Sequence, residues 1–94
     1  IKGGENIAPR EIDEALLAHP AVLEAAAVGI PDPNYGQDIL AAVVLKPGAV
    51  CDEVALREHC IAMLGRFKTP KTFRLVDDLP KGPSGKVQRL KLLD

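Results

Sequence analysis

The segments VLEAAAVGI, residues 22–30, and ILAAVVL, residues 39–45, decide the fold of this 94-residue chain. Both are apolar, bounded by turn-forming residues and too short for typical helices, which predicts two β-strands. Between them, PDPNYG at residues 31–36 is dense in turn formers, so we expect an antiparallel pair joined by a loop. The second strand is apolar on both faces, as is typical of a strand at the centre of a sheet.

The alternation of residues along the first strand divides its side chains between two faces. One face is predicted to carry Glu24, Ala26, Val28 and Ile30, and the other Leu23, Ala25, Ala27 and Gly29. Because most of the second set are small, we expect a helix to pack closely against that face.

Two helices are predicted, one before and one after this strand pair in the chain. Pro9 suits the first turn of a helix that Pro20 ends, with Ala8 as its N-cap. Asp52 is the expected N-cap of a second helix, which Gly65 terminates. The side chains predicted to be buried are Ile12, Ala15, Leu16 and His19 on the first helix and Leu56, Cys60, Met63 and Leu64 on the second.

The remaining segments complete a small α+β domain. Residues 72–76 have the β-branched and aromatic content of a third strand, and residues 87–93 are compatible with one or two helical turns. Gly3 and Gly4 predict a tight turn between two short extended pieces, which is an N-terminal glycine-turn hairpin. We therefore expect a three-stranded, mainly antiparallel sheet packed by helices.

The composition excludes several classes of protein. Hydrophobic residues make up 47% of the chain and charged residues 27%, which is too apolar for a disordered chain and too charged for a membrane protein. The longest apolar run, residues 39–45, is far below the about 20 residues of a membrane-spanning helix. Residues 65–94 hold eight Lys or Arg against three Asp or Glu, but Phe67 and Phe73 form no stacking series. Nucleic acid is therefore the weakest candidate partner, behind a membrane surface or a phosphate-bearing small molecule.

The cysteines and histidines predict neither a disulfide framework nor a metal site. Cys51 and Cys60 lie nine residues apart without a CxxC motif, and His19 and His59 have no partnered ligand pattern. We expect reduced thiols in a cytoplasmic protein and no bound metal in this chain. Because the sequence begins with Ile1 and shows no leader, we expect a cut piece of a longer protein.

The segment LPKGPSGKVQR, residues 79–89, is the strongest candidate for chemistry. Its prolines and glycines exclude a helix or a central strand, which predicts a shaped, exposed loop that presents Lys86. It is not a P-loop, because Gly82 lies only three residues before Gly85 and Val87 replaces the hydroxyl that would hold Mg²⁺. From the loop alone, Lys86 is either a binder of phosphate or oxyanion groups or a solvated turn lysine.

Motifs at both ends of the chain carry a family resemblance. LPK at residues 79–81, SGK at residues 84–86 and the following Arg89 resemble the C-terminal signature of the adenylate-forming enzymes. This superfamily includes acyl-CoA synthetases, the adenylation domains of peptide synthetases and luciferases. GGENIAPREI at residues 3–12 resembles the motif that begins their mobile C-terminal domain, and FKTP at residues 67–70 also follows the family order.

The resemblance implies that residues 1–94 are the C-terminal mobile (lid) domain of an acyl-CoA synthetase, without its large N-terminal domain and hinge. Such an enzyme joins a carboxylic acid to ATP, giving an acyl-adenylate and pyrophosphate, and then transfers the acyl group to CoA. Lys86 would be the catalytic residue of the first step, where it bridges the carboxylate and the α-phosphate. ATP, with Mg²⁺ as its counter-ion, would be held by the N-terminal domain, so the isolated chain is expected to be inactive.

The resemblance further implies binding and loop-shaping residues. In the thioester-forming arrangement, the N-terminal glycine turn lines the tunnel for the pantetheine of CoA, and nearby cations would meet CoA phosphates. The implied cofactor-binding residues are Lys2, Gly3, Gly4, Glu5 and Arg10, and the implied loop-shaping residues are Ser84, Gly85 and Arg89. The chain departs from the family pattern at Lys2, Gln37 and Gly82, where the family often has a small residue, Glu and Thr, respectively.

Two alternatives stay open at this point. One is the matching piece of a peptide-synthetase adenylation domain, whose thiol partner is a carrier protein. The other is a non-enzymatic α+β interaction module with a basic tail. GGEN at residues 3–6 favours CoA ligases by resemblance, so the expected partners are the enzyme's own N-terminal domain, a carboxylic acid, ATP and CoA.

Overall fold

Two helices, three strands and a C-terminal 3₁₀ helix make up the part of the chain that the computed structural model describes, residues 8–32 and 36–94. In chain order the elements are α1 (Pro9–Leu17), β1 (Val22–Asp32), β2 (Gly36–Leu45), α2 (Glu53–Leu64), β3 (Thr72–Leu75) and the 3₁₀ helix (Arg89–Leu93). The predicted N-terminal glycine-turn hairpin lies outside the described residues. None of the described helices is long and apolar enough to cross a membrane.

β2 lies at the centre of a three-stranded sheet, as predicted, with the strand order β1-β2-β3. β1 and β2 are antiparallel over ten residue pairs, whereas β3 pairs with β2 in parallel over four, beginning with Thr72 opposite Leu40. α2 connects β2 to β3, and a parallel pair requires such a crossover. The predicted α+β class is confirmed, and the sheet is mainly antiparallel but mixed.

Both long strands extend beyond their predicted bounds. β1 continues past Ile30 to Asp32, and β2 begins at Gly36 rather than Ile39, because Asp32 still pairs with Gly36. The predicted loop at residues 31–36 is correspondingly shorter. The strand pair is the longest regular structure in the described chain, and α1, β3 and the 3₁₀ helix each contact it.

α2 has its predicted bounds, whereas α1 ends early. Asp52 caps α2 by accepting a backbone hydrogen bond at 2.9 Å, and Gly65 ends the helix with a φ of +83°. α1 begins at Pro9 as predicted but ends at Leu17, before Pro20. Because the residue before a proline avoids helical geometry, the chain leaves the helix ahead of Pro20.

The sheet separates two apolar clusters. On one side, β1 and β2 pack against α1 and α2, and we call this side the helical face. Ala25 and Ala27 of β1 lie in this cluster, which confirms the predicted packing of a helix against small residues. The large, fully buried side chains of the helical face are Ile12, Leu16, Val43, Leu56 and Cys60.

The opposite side of the sheet, which we call the loop face, is covered by the C-terminal part of the chain. Ala26 and Val28 of β1 belong to a cluster that includes Leu79 and Leu92. These two leucines lie on either side of the segment that carries Lys86. The packed loop face therefore supports both ends of that segment.

Four residues predicted to face the core are not fully buried, and one of them, Leu64, packs partly buried against the helical-face cluster. Leu23 is 49% exposed, because the register of β1 against β2 shifts between Val22 and Glu24 and places Val22 in the helical face instead. Met63 is 52% exposed, since α2 turns only a narrow stripe toward the sheet. His19 lies beyond the end of α1 and is half-buried.

Candidate functional site

Residues 81–87 form a tight hairpin, which we call the lysine hairpin. Its two ends face each other in an antiparallel bridge, and the Gly82 N–H donates to the Lys86 carbonyl at 2.9 Å. At the tip, the Gly85 N–H donates to the Gly82 carbonyl at 3.0 Å, which closes a four-residue turn. Main-chain hydrogen bonds therefore hold the backbone on which Lys86 stands.

The sequence at the tip suits this geometry. Pro83 restricts φ to about −65° at the second position of the turn, as types I and II both require. Ser84 follows, and a type II turn is excluded because no described residue other than glycine has a positive φ. Gly85 then adopts a φ of +83°, as in three-residue hairpin loops that combine a type I turn with a left-handed residue.

Lys81 ties the first strand of the lysine hairpin to β1. Its ammonium lies 2.8 Å from the Glu24 carboxylate and 3.4 Å from that of Asp78. The hydrogen bond to Glu24, with a smaller contribution from Asp78, raises the pKa of Lys81 above its ordinary value. The pKa of Asp78 is lowered, first by the hydrogen bond from the Leu79 N–H and then by Lys81. The charge of Lys81 is thus balanced within the domain.

Arg89, which follows the second strand of the lysine hairpin, binds the body of the domain through three contacts. Its guanidinium donates to both carboxylate oxygens of Asp13 on α1, at 3.2 and 2.7 Å. It also donates to the Ala27 carbonyl of β1 at 2.9 Å, while Asp13 accepts from the Ala27 N–H at 2.8 Å. Because β1 is an edge strand, these two side chains satisfy backbone groups that a further strand would otherwise pair.

Lys86 differs from both of these cations. Its side chain is exposed, and within the described parts of the chain its ammonium makes no hydrogen bond or ion pair. Of the three positive charges in residues 81–89, the domain therefore balances two and presents the third to solvent. An unpaired lysine offers a compact charge with three donors, which suits contact with phosphate or carboxylate oxygens.

Gly82 leaves room for the side chain of Gln88. A Cβ atom at Gly82 would lie 3.0 Å from Gln88 Nε2, which is closer than side chains ordinarily approach. Gln88 is also held through its backbone, since its N–H donates to the Pro80 carbonyl at 2.8 Å. The family often has Thr at the position of Gly82. In this chain, the glycine allows the side chain of Gln88 to lie beside the lysine hairpin.

The predicted cofactor-binding residues fall into two groups. Arg10 is exposed in the first turn of α1 and has no ion-pair partner among the described residues. Lys2, Gly3, Gly4 and Glu5 lie outside the residues that the structure describes. The predicted contact between the glycine turn and CoA therefore stays a prediction.

Asp13 and Glu24 are the site residues that sequence-based prediction missed. Glu24 carried a signal, because it is the single carboxylate within residues 22–30, and a carboxylate in apolar surroundings favours a cationic partner. Asp13 carried no comparable signal, since acidic residues are common on helices. Its partner, Arg89, lies 76 positions away in the chain.

The histidines and cysteines make contacts of a structural kind. His19 Nδ1 accepts from the Ala21 N–H at 3.0 Å, and His59 Nε2 donates to the Ala15 carbonyl at 2.6 Å. Burial raises the pKa of the Cys60 thiol to about 11, which disfavours a nucleophilic thiolate. In the described parts of the chain, no group of three or more His, Cys, Asp or Glu side chains is placed to hold a metal ion.

The fold and the lysine hairpin together fall within a known class of domain. The family model of the AMP-binding enzyme C-terminal domain matches residues 11–86, a range that runs from α1 to Lys86. The chain therefore belongs to the family of AMP-binding enzyme C-terminal domains. This match confirms the membership of the adenylate-forming enzymes that the two end motifs predicted.

Three relatives show how far the similarity extends. The sulfoacetate–CoA ligase of Cupriavidus necator is 72% identical over all 94 residues, which cover 18% of that protein. The ATP-bound structure of MatB from Rhodopseudomonas palustris is 39% identical, with a TM-score of 0.92 over 98% of this chain and 18% of that one. The o-succinylbenzoate CoA synthetase (MenE) of Bacillus subtilis, in complex with the acyl-adenylate intermediate OSB-AMP, is 38% identical, with a TM-score of 0.93 over 100% of this chain and 19% of that one.

The chain spans 18 to 19% of the length of these three proteins. The rest of each relative has no counterpart in the 94 residues. The chain thus corresponds to one part of the enzymes in this family. Two of the three relatives carry CoA in their names. The roles of individual residues and the cytoplasmic location stay predictions.

Proposed function

We propose that this chain is the C-terminal mobile domain of an ATP-dependent acid–CoA ligase, in which Lys86 acts in the formation of the acyl-adenylate. The observation that carries the proposal is that Lys86 is the one cation of residues 81–89 without a partner among the described residues. The chain would work together with the N-terminal domain of the same enzyme, and that domain would hold ATP, Mg²⁺ and the acid.

The chemistry of the first half-reaction explains why an unpaired lysine is useful. A carboxylate oxygen attacks the α-phosphorus of ATP, and pyrophosphate leaves with the electron pair of the broken P–O bond. Both reacting groups are anions, so charge repulsion opposes their approach. An ammonium group between them offsets this repulsion, and its three donors reach oxygens of both groups.

The surroundings of Lys86 support this role in two ways. A lysine paired within its own domain would have to break that ion pair before meeting substrate, whereas Lys86 has no such contact among the described residues. Its backbone is held by the lysine hairpin, so only the side chain has to be ordered when it meets the reacting groups. Both features favour a preorganised charge.

The second half-reaction is assigned to the N-terminal glycine turn. The thiol sulfur of CoA attacks the acyl carbon of the adenylate, and AMP leaves as the thioester forms. Gly3 and Gly4 carry no Cβ atoms, which suits the wall of a narrow channel for pantetheine. Lys2, Glu5 and Arg10 flank this turn, and the two cations meet phosphates of CoA. CoA is favoured over a carrier protein because two of the relatives are named for CoA.

The Lys86→Ala variant of the full-length enzyme tests the proposal. Acid-dependent release of pyrophosphate is expected to fall by about 100- to 1000-fold, since removing one preorganised group that stabilises developing charge costs about 3–4 kcal/mol. Formation of thioester from supplied acyl-adenylate and CoA is expected to continue near the original rate. Measuring the two half-reactions separately distinguishes adenylation from a general loss of activity.

Lys91→Ala is the matched control. Lys91 is an exposed lysine of the 3₁₀ helix and has no ion pair in the described parts of the chain. Its variant is expected to leave both half-reactions unchanged. Unchanged pyrophosphate release in Lys86→Ala, or an equal loss of both half-reactions, would contradict the proposal.

A second, narrower proposal concerns the acid. Identity to the sulfoacetate–CoA ligase is 72%, compared with 39% and 38% for the matching parts of MatB and MenE. We propose sulfoacetate as the acid that the full-length enzyme activates. Pyrophosphate release measured with sulfoacetate, acetate and o-succinylbenzoate should give the highest kcat/KM for sulfoacetate. A higher kcat/KM for either of the others would overturn this choice and leave the assignment of Lys86 intact.

A further inference from the structure

We propose that Asp13 and Glu24 are positioning residues for Lys86. They hold the two strands of the lysine hairpin through Arg89 and Lys81, and thereby determine where the free ammonium lies. The inference rests on the proposed function of Lys86. It adds two residues that lie on α1 and β1 and act through other side chains.

The two anchors lie at opposite ends of the lysine hairpin. Lys81, its first residue, contacts Glu24 of β1 at 2.8 Å. Arg89, two residues beyond its last, contacts Asp13 at 2.7 Å and the Ala27 carbonyl at 2.9 Å. Because Glu24 and Ala27 belong to the same strand, both strands of the lysine hairpin are fixed to β1.

The two anchors differ in burial and in the number of contacts. The Asp13 side chain is 14% exposed, and it accepts from Arg89 through both oxygens and from a β1 amide. The Glu24 side chain is 30% exposed, and among the described residues it forms one ion pair, with the Lys81 ammonium. Bidentate, partly buried pairs are stronger than more exposed single contacts, so we expect Asp13 to have the larger effect.

A positioning role has a different signature from a structural one. Loss of folding lowers both half-reactions together, because both use the same domain. Loss of position affects only the step that needs Lys86 at one place, and a misplacement of about 1 Å can cost about 100-fold in rate. The ratio of the two half-reaction rates is therefore the quantity to measure.

Asp13→Asn and Glu24→Gln remove each charge while keeping the size of the side chain. In the full-length enzyme, kcat for acid-dependent pyrophosphate release is expected to fall about tenfold for Asp13→Asn and about threefold for Glu24→Gln. Thioester formation from supplied acyl-adenylate and CoA is expected to change by less than about twofold in both variants.

Glu53→Gln and Lys86→Ala are the controls. Glu53 pairs with Arg57 at 3.0 Å on α2, so its variant breaks an exposed ion pair outside the lysine hairpin and is expected to change neither half-reaction. If Lys86→Ala spares adenylation, the proposed function has failed. If Lys86→Ala abolishes adenylation but the Asp13 and Glu24 variants leave its rate unchanged, only the positioning inference has failed.

Variants of Lys81 keep the test decisive if Asp13→Asn does not fold. Lys81→Met is expected to slow adenylation at least as much as Glu24→Gln, because it removes the contact with Glu24 and also the one with Asp78. The double variant should be no slower than Lys81→Met alone, since that variant has already lost the contact with Glu24. Lys81→Arg keeps the pair with Glu24 and is expected to retain adenylation. Additive losses in the double variant, or equal losses in both half-reactions with lowered thermal midpoints, would overturn the inference.

Discussion

The two faces of the sheet are packed by different means. On the helical face, the side chains of Ile12, Leu16 and Leu56 have no exposed surface. On the loop face, Leu79 and Leu92 keep 3% and 6% of their surface exposed, and the chain that covers this face is mostly irregular. Both clusters are thus buried, but helices cover the helical face, whereas a mostly irregular segment that also presents Lys86 covers the loop face.

The difference follows from how each segment satisfies its own backbone. A helix pairs its interior N–H and C=O groups by itself, so α1 and α2 need only an apolar stripe to dock on the sheet. The C-terminal segment depends on hairpin hydrogen bonds and on the ion pairs of Lys81 and Arg89. We therefore expect the helical face to contribute more to folding stability, whereas the lysine hairpin is held by contacts with β1 and with Asp13 of α1.

The largest expected effect tests the stability of the helical face. Leu56→Ala should lower the free energy of unfolding by about 3–4 kcal/mol, because it leaves a cavity among fully buried side chains. Leu92→Ala on the loop face should cost about 2 kcal/mol, since irregular chain can relax into the space. Urea unfolding of both variants of this chain measures the difference. An equal or larger loss for Leu92→Ala would contradict the comparison.

Alkaline pH is expected to weaken the helical face through Cys60. Burial raises the pKa of its thiol to about 11, above the ordinary value of 9.0, so the folded state favours the neutral form. This contribution to stability is complete below pH 9.0 and is lost as the pH rises to about 11. The loss by that pH is about 2–3 kcal/mol, since a tenfold change in a protonation equilibrium is worth about 1.4 kcal/mol.

Two cysteine variants isolate this contribution. Cys60→Ala has no thiol at the buried position, so its free energy of unfolding should depend less steeply on pH across this range. Cys51→Ala keeps the buried thiol and should retain most of the original slope. Urea unfolding at several alkaline pH values gives both slopes. The prediction is wrong if the two variants lose stability at the same rate with rising pH.

Sequence patterns predicted the helical face in more detail than the loop face. Ala25 and Ala27 were assigned to the correct side of β1, and Asp52 and Gly65 marked the bounds of α2, because periodicity and caps are local signals. Leu23 was assigned wrongly, since the register shift in β1 depends on pairing with β2. Local patterns do not contain such long-range information.

The candidate site was only partly accessible to sequence-based prediction. Lys86 could be singled out because the prolines and glycines around it mark a tight turn. The pair of Asp13 and Arg89 could not, because 76 positions separate them and only the fold brings them together. The sequence also does not show that Lys81 is paired and Lys86 is not. This difference depends on the fold, which places Glu24 beside the lysine hairpin.

The smallest expected effect separates stability from the presentation of Lys86. Gly65 at the end of α2 and Gly85 in the lysine hairpin both have a φ of +83°, and no other described atom lies within 4 Å of an added Cβ at either. Gly65→Ala and Gly85→Ala should therefore lower the free energy of unfolding equally, by about 1–2 kcal/mol of backbone strain. In the full-length enzyme, only Gly85→Ala should slow acyl-adenylate formation, because it distorts the turn beside Lys86. If both variants slowed acyl-adenylate formation equally, the rate of this step would depend on folding stability alone. That result would contradict the distinction between the helical face and the loop face.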